Sequence, residues 1–552
     1  MGRTTAEVII DTLYNLGVER IYGIPGDSLN PVMDAIRKNG KIQFIQVRHE
    51  EGAALAASFE SKISGKVTAC MGTSGPGSIH LLNGLYDAKM DHSSVIALTG
   101  QVETELIGTD YFQEVNLGSI FQDVSLYSAE IISPQSAQEI AKRAFREAKY
   151  RGGVSHLTLP ADVMRLPSEY NEELMEQAPV PPVYNPDLSE VNSLIEKSSS
   201  PVIFIGKGAR GCGGQILDLS EKIGAPVIYA LNGKGIVDDL DRRVAGSLGL
   251  LGTKPSMKAI ENADLLIMIG SSYPYVQFIP EKLVTIQVDT NPVSIGKRRR
   301  SDLGLICDAK SFLNLLDVKP KEEKYYHCIE SEKKEWISNL EKREQYNKGL
   351  IRPESVPAII SKYAEKNATV VVDTGNVTVW GVRNFRTGPG RTFVYSSWLG
   401  SMGIGIPGTV GASYSSGNQI IGLIGDGSFA MSLPELVTIK KYKRPVKLFV
   451  FNNSELGMIK FEEEVMGFPN FGTDLFPLNF AKIGEAIGIK SFRVEKYDQL
   501  EPAIKESLSI VGEPTIVDVV IDPDEAPMPP KLNFSQVKGY VTSLLKERLE
   551  QV

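Results

Sequence analysis

The sequence predicts an α/β protein of three doubly wound domains, each built on a parallel sheet. Two observations carry this. Short apolar runs closed by Gly, Pro or a polar residue alternate with helical stretches along nearly the whole chain, as strands joined by crossover helices do. At 552 residues the chain also exceeds what one hydrophobic core spans, so three domains of ordinary size are the natural division.

In the first unit the apolar runs are ERIYGIPG, QFIQVRHE, KVTACMGTSGPG, VIALTG and HLTLPAD. A stretch rich in Pro and Glu, PSEYNEELMEQAPVPPVYNPDLSE, then interrupts the pattern. It resumes with PVIFIGKGARG, APVIYALNGKG, ADLLIMIGSSYP and VTIQVDTNP. The charged segment KPKEEKYYHCIESEKKEWISNLEKREQYNKG precedes the last unit, which runs through TVVVDTG, FVYSSWLGSMGIGIPG, IIGLIGDG, VKLFVFNN and PTIVDVVID. The division is domains at 1–166, 191–318 and 353–530, linkers at 167–190 and 319–352, and a tail at 531–552.

Composition narrows the function classes. With 42% hydrophobic and 23% charged residues the chain reads as soluble and globular. A net charge of -8 argues against a nucleic-acid partner, and the basic run Lys297 to Arg300 reads as a surface turn. Cys70, Cys212, Cys307 and Cys328 form no CxxC pair and the five histidines are dispersed, so neither a disulfide framework nor a zinc site is expected. The N-terminus enters helical periodicity without a charged leader, and no apolar run approaches the roughly 20 residues of a membrane helix. The expected setting is cytoplasmic.

The chemistry is concentrated in GDGSFAMSLPELVTIKKYKRPVKLFVFNN, residues 425–453. Ligands of open parallel sheets bind beyond the carboxyl ends of the strands. One strand delivers Asp426 there between Gly425 and Gly427, and a second delivers Asn452 and Asn453. A carboxylate with an amide oxygen suits Mg²⁺ whose remaining shell is phosphate and water.

This pair of strand ends closely resembles the diphosphate-binding motif of thiamin diphosphate (ThDP) enzymes. The resemblance implies Mg²⁺ ligands from the Asp426 and Asn453 side chains and the Glu455 carbonyl, with Ser428, Leu456, Gly457 and Met458 around the cofactor. RHEEG matches the family's glutamate motif, which makes Glu50 the carboxylate that bonds the aminopyrimidine nitrogen N1′. In WLGSMGIGIPG, Met402 matches the apolar prop beneath the cofactor, with Gly400 and Ser401 beside the 4′-amino group, and Gly26 also contributes. The three domains are then pyrimidine-binding, central FAD-type and diphosphate-binding.

Over the whole chain the resemblance is closest to pyruvate oxidases and quinone-linked pyruvate dehydrogenases. It implies FAD contacts from Gly206 and Gly208, from Gly249, Leu250, Leu251 and Gly252, from Ser272, Tyr273, Pro274 and Tyr275, and from Asp289, Asn291 and Asp308. Val276 departs from the pattern, standing where several relatives carry Arg. GTDYFQEV supplies Phe112 and Gln113 beside the reactive carbon. Ala161 stands where acetohydroxyacid synthases carry Lys. Past the Asn pair, Met458 follows the synthase pattern, whereas Glu462 follows the oxidase pattern and is expected to be a buried carboxylate near the reacting carbon.

The expectation is therefore oxidative decarboxylation of pyruvate to acetate or acetyl phosphate, electrons passing through FAD to a quinone, O₂ or another acceptor. The alternative is an acetolactate synthase with a structural FAD. The family implies a homodimer or homotetramer with active sites between subunits. Val541, Leu544, Leu545 and Leu549 share a helical face that suits packing more than membrane contact.

Overall fold

A computed structural model of the chain describes residues 2–172, 186–527 and 542–543. Its strands form three six-stranded parallel sheets and a small antiparallel ribbon between Arg3–Thr4 and Pro167–Ser168. The two central strands of the middle sheet, Pro201–Ile205 and Leu265–Ile269, are buried at every residue, which is why they read as unbroken apolar runs.

From edge to edge the N-terminal sheet runs Gln43–Gln46, Arg20–Gly23, Thr68–Gly72, Val95–Gln101, Val154–Pro160 and Tyr127–Glu130. The C-terminal sheet runs Thr392–Val394, Thr369–Val372, Ile420–Gly425, Val446–Asn452, Thr515–Val520 and Lys490–Val494. Counted within each domain, both follow the order 2-1-3-4-6-5. The middle sheet differs: Val244–Ser247, Val227–Tyr229, Pro201–Ile205, Leu265–Ile269, Val284–Asp289 and Leu303–Ile306 give 3-2-1-4-5-6, the order of dinucleotide-binding folds. The order reverses beside Thr369–Val372 and Ile420–Gly425 in the last domain and beside Pro201–Ile205 and Leu265–Ile269 in the middle one, which locates their ligand crevices.

The first and last domains share a core. Helix α1 (Glu50–Ser64) lies against helix α2 (Gly405–Ser415), and the buried cluster around them draws side chains from both sheets. The approach is close enough to require glycine: a Cβ on Gly411 would stand 2.1 Å from the Ala56 carbonyl oxygen. The charged segment before the last domain is structured, since helix Glu330–Glu344 places Lys333 in the middle domain, donating to the carbonyls of Asp239 at 2.8 Å and Val244 at 2.7 Å.

Among the described residues no helix is long and apolar enough to cross a membrane. Most of the tail, with Val541, Leu544, Leu545 and Leu549, lies outside the described residues; Ser543 is buried and donates to the Phe468 carbonyl at 2.7 Å.

Candidate active site

At the crevice of the last domain, strand Ile420–Gly425 gives way to Asp426, whose side chain is almost fully buried. Its Oδ1 accepts from the Gly427 amide at 2.9 Å and its Oδ2 from the Ser454 amide at 2.5 Å. Burial nevertheless pushes its pKa up to about 6, the amide donors offsetting only part of the desolvation cost. A cation beside it would reverse that balance.

The two asparagines part company. Asn452 turns inward, donating to the Leu478 carbonyl and the buried Asp518 carboxylate, both at 2.9 Å. Asn453 turns to the crevice, one terminus of its amide lying 3.0 Å from the Glu455 carbonyl oxygen and 3.2 Å from Asp426 Oδ1. With the amide nitrogen there the group closes on itself; with the oxygen there, three hard oxygen donors converge with no proton between them. That donor set fits Mg²⁺. The Glu455 carboxylate is engaged by Lys460 at 2.9 Å, leaving its carbonyl for this cluster, and Ser454 between the two donors adopts the left-handed backbone at φ 58°.

Three neighbours complete the crevice that motif reading did not single out. Asp373 is fully buried and holds the N-terminus of α2 through the Gly405 amide at 2.7 Å, its pKa pushed up to about 6 by burial. Thr374 Oγ1 donates to the Ser401 carbonyl at 2.8 Å. Asn376 opens helix Asn376–Asn384 with a buried Oδ1 that has no partner, and a Cβ on Gly457 would stand 2.7 Å from its Nδ2. That helix and helix Gly457–Met466 both begin at this edge, and the first-turn N–H groups of two helices there suit an anion. Sequence offered one signal: DTGN follows its strand as GDGS follows the next.

Gly400 adopts φ 66° and lets the chain turn into Ser401 and Met402. The Met402 methyl comes within 3.5 Å of where a Cβ on Gly427 would be, and Leu456 within 3.1 Å, so the prop, the Gly-Asp-Gly turn and the Asn loop meet. Ser428 Oγ donates weakly to the Thr374 carbonyl at 3.4 Å, and Met458 packs partly buried on the last domain's core. Glu462 corrects the expectation of a buried carboxylate: it is exposed in the single chain, and Glu464 is the buried one on that helix. Helical rotation places position 462 on the outer face.

Glu50 opens α1 immediately after its N-cap His49 and is buried, with Oε2 3.0 Å from His80 Nδ1. The turn that aims it is fixed from the other domain. Glu435 accepts from the Arg48 amide at 2.9 Å and the His49 amide at 3.1 Å, and from Thr438 Oγ1 at 2.5 Å. Asn83 adds a second tie, donating to Ser401 Oγ at 2.9 Å and to Glu51 at 2.6 Å. No local pattern exposes Glu435, because its partners lie 386 and 387 residues away.

Phe112 and Gln113 line a cavity of about 660 Å³ with Asp27, Ser28, Ala161 and Arg165. Phe112 is 75% exposed and Gln113 takes φ 63°. Gly26 precedes this wall, where a Cβ would collide with Thr73 at 2.3 Å. Every lining residue belongs to the first domain, so Asp426, Asn453 and Glu455 do not line this cavity.

In the middle domain the crevice loops touch: Cβ atoms on Gly206 and Gly208 would stand 2.5 and 2.7 Å from Gly270. Gly249, at φ 106°, admits the Tyr273 hydroxyl 2.4 Å from its Cβ position, and that hydroxyl is buried without a partner. An orphaned buried donor beside glycine loops fits a nucleotide group. Ser272 accepts from Arg298 through its carbonyl at 2.6 Å, and the same guanidinium lies 4.2 Å from the Trp398 ring; Tyr275 is half-exposed. Leu250, Leu251 and Gly252 offer their carbonyls to Arg383 of the last domain at 3.2–3.3 Å. Asp289 ends its strand with a carboxyl raised by burial. Asn291 and Asp308 are helix caps, accepting from Val293 and Ser311, and Pro274 takes no part in these hydrogen bonds.

Comparison with known proteins agrees with this layout. Residues 3–120 match the thiamine pyrophosphate enzyme N-terminal TPP binding domain, 188–316 the central domain and 373–519 the C-terminal TPP binding domain. The protein YdaP of Bacillus subtilis is 37% identical, the match covering 99% of this chain and 96% of that protein. The pyruvate oxidase of Lactiplantibacillus plantarum is 32% identical over 98% of this chain and 93% of its own length. An acetolactate synthase of Mycobacterium bovis is 31% identical over 94% and 88%. The chain therefore belongs to the thiamine pyrophosphate enzymes, in the family that includes pyruvate oxidase and acetolactate synthase.

Proposed function

We propose that the enzyme oxidatively decarboxylates pyruvate to acetate, or to acetyl phosphate where phosphate replaces water, and passes two electrons through FAD to a quinone, O₂ or another acceptor. Identity alone does not separate this from synthesis of acetolactate, the pyruvate oxidase standing at 32% and acetolactate synthases at 31% and 34%. The observation that carries the reading is Ala161, which lines the same cavity as Phe112 and Gln113 and brings no amine there. Met458 favours the second reading, an acetolactate synthase with structural FAD.

Bound ThDP supplies the electron sink for loss of CO₂, and FAD the two-electron acceptor. The chain's part is to place them. Asp426, Asn453 and the Glu455 carbonyl hold Mg²⁺ on the diphosphate, Met402 supports the bend, and Glu50 holds a proton at the pyrimidine nitrogen. Phe112 and Gln113 border the substrate, and Glu462 reaches it only when a second chain covers its helix.

The same reading makes the enzyme a cytoplasmic homodimer or homotetramer with sites between subunits. Its support is that the Asp426 cluster takes no part in lining the Phe112 cavity, together with exposed Met431, Met466, Phe471 and Phe476 on the last domain. Anaerobic mixing of the flavin-loaded enzyme, ThDP and Mg²⁺ with pyruvate tests the activity. Bleaching of the flavin absorbance is expected; pyruvate consumed with the flavin still oxidised transfers the assignment to the synthase.

A further inference from the structure

The first domain carries a second group of potential cation ligands, with chemistry different from that of the oxygen cluster. One ligand atom each from His49, Glu50 and His80 lies within 4.8 Å of the other two. The two imidazole rings stack at 4.4 Å between centroids and 30° between planes, and His80 Nδ1 is 3.0 Å from Glu50 Oε2. The histidine side chains are 48% and 44% exposed and Glu50 only 10%, so the group forms an open face with the carboxylate at its base.

The backbone beneath it is fixed. Glu435 grips the His49 amide, α1 begins at Glu50, and His80 ends helix Pro76–His80. Two imidazoles and one carboxylate form the donor set of open zinc sites, which leave further positions to solvent or ligand. It is softer than the three oxygens of Asp426, Asn453 and Glu455, and selects a transition dication over Mg²⁺.

We propose that the enzyme lacking ThDP binds one transition dication, of the Zn²⁺ or Co²⁺ type, at His49, Glu50 and His80, and that this ion and ThDP exclude one another. The exclusion rests on the reading of Glu50 as the carboxylate that bonds the pyrimidine ring, because a carboxylate oxygen committed to the metal is withdrawn from that nitrogen. The outcome is a site at which a transition metal blocks cofactor loading and Mg²⁺ does not. The ion adds no step to the reaction.

The test titrates CoCl₂ into ThDP-free enzyme, with Mg²⁺ in excess to fill the oxygen cluster, and follows the visible Co²⁺ bands. One ion per chain is expected, with bands of a nitrogen- and oxygen-ligated centre. His49→Gln and His80→Gln should each weaken binding by roughly a hundredfold or more, since losing even an outer partner of a metal ligand costs about 10–100-fold. Glu50→Gln, which keeps the side-chain shape, should weaken it similarly, and circular dichroism confirms folding of each variant. ThDP is then added and its binding measured separately by calorimetry. Loss of the Co²⁺ bands in step with ThDP uptake supports the proposal. Absent Co²⁺ bands, Co²⁺ binding that survives the paired His49→Gln and His80→Gln substitutions, or ThDP uptake with the bands unchanged overturns it. Co²⁺ bound through the histidines by a protein that takes up no ThDP even with Mg²⁺ alone, before any Co²⁺ is added, leaves the metal site standing and removes the cofactor reading of Glu50.

Discussion

Asn452 and Asn453 occupy successive positions and serve opposite ends. Replacing Asn453 by Ala removes one of three converging oxygens, so Mg²⁺-dependent ThDP retention should fall by at least tenfold while the melting temperature barely moves. Replacing Asn452 by Ala should do the reverse, leaving the Leu478 carbonyl and one Asp518 oxygen short of a donor at a cost of about 1–3 kcal/mol. Calorimetric titration and thermal melts on the two variants separate the roles, and equal effects on both readouts would contradict the division. At this scale the sequence was informative where a residue's role follows from its place on a strand end. That Asp426 and Asn453 follow strand ends and that Glu50 opens a helix could be read in this way. Glu435 and Asp373 could not, since one acts across a domain boundary and the other on a helix that starts 32 residues later. Glu462 shows the same limit from the other side: its motif does not say which face of the helix it takes, and it is exposed in the chain.

Among elements, the strands missing from the sequence reading are edge strands: Tyr127–Glu130, Val244–Ser247, Leu303–Ile306 and Lys490–Val494. An edge strand pairs on one side only and needs no continuous apolar run, and Tyr127–Glu130 and Leu303–Ile306 both alternate in burial. Central strands must be apolar on both faces, so they were legible. The contact of α1 with α2 was not, because the glycines that permit it carry no side chain to form a pattern. Gly411→Val should therefore cost about 3 kcal/mol by overpacking and loosen the hold on Glu50; a melting curve superimposable on the parent's would refute that packing argument. Helix Asn376–Asn384 starts at the diphosphate crevice and ends with Arg383 holding the loop Leu250–Gly252. Arg383→Met should release FAD about tenfold more readily with ThDP affinity little changed, as equilibrium dialysis of each cofactor would show.

For the whole molecule, acid is the condition to which a buried base responds. His156 is fully buried, stacked 3.9 Å from Phe121 and bonded to Thr99 and Ser128 at 2.7 Å, and burial pulls its pKa down to about 3. The unfolded chain takes up this proton near pH 6.5 and the folded chain does not. Its contribution is complete above pH 6.5 and is lost as pH falls towards 3, raising the unfolding constant by up to about tenfold per pH unit. Melts between pH 7 and 4.5 should show that slope, and His156→Gln should flatten it. At the same scale, dilution that separates subunits should release ThDP in parallel, which sedimentation with cofactor fluorescence can follow. The shared strand order of the outer domains has a historical consequence. Two domains of one plan that both match thiamine pyrophosphate binding domains are the expected descendants of a single ancestor that paired with its own copy, the middle unit with its different plan being a later guest. On that genealogy, a ligand pocket formed by two copies of one domain is older than the chain that now encodes both kinds of wall.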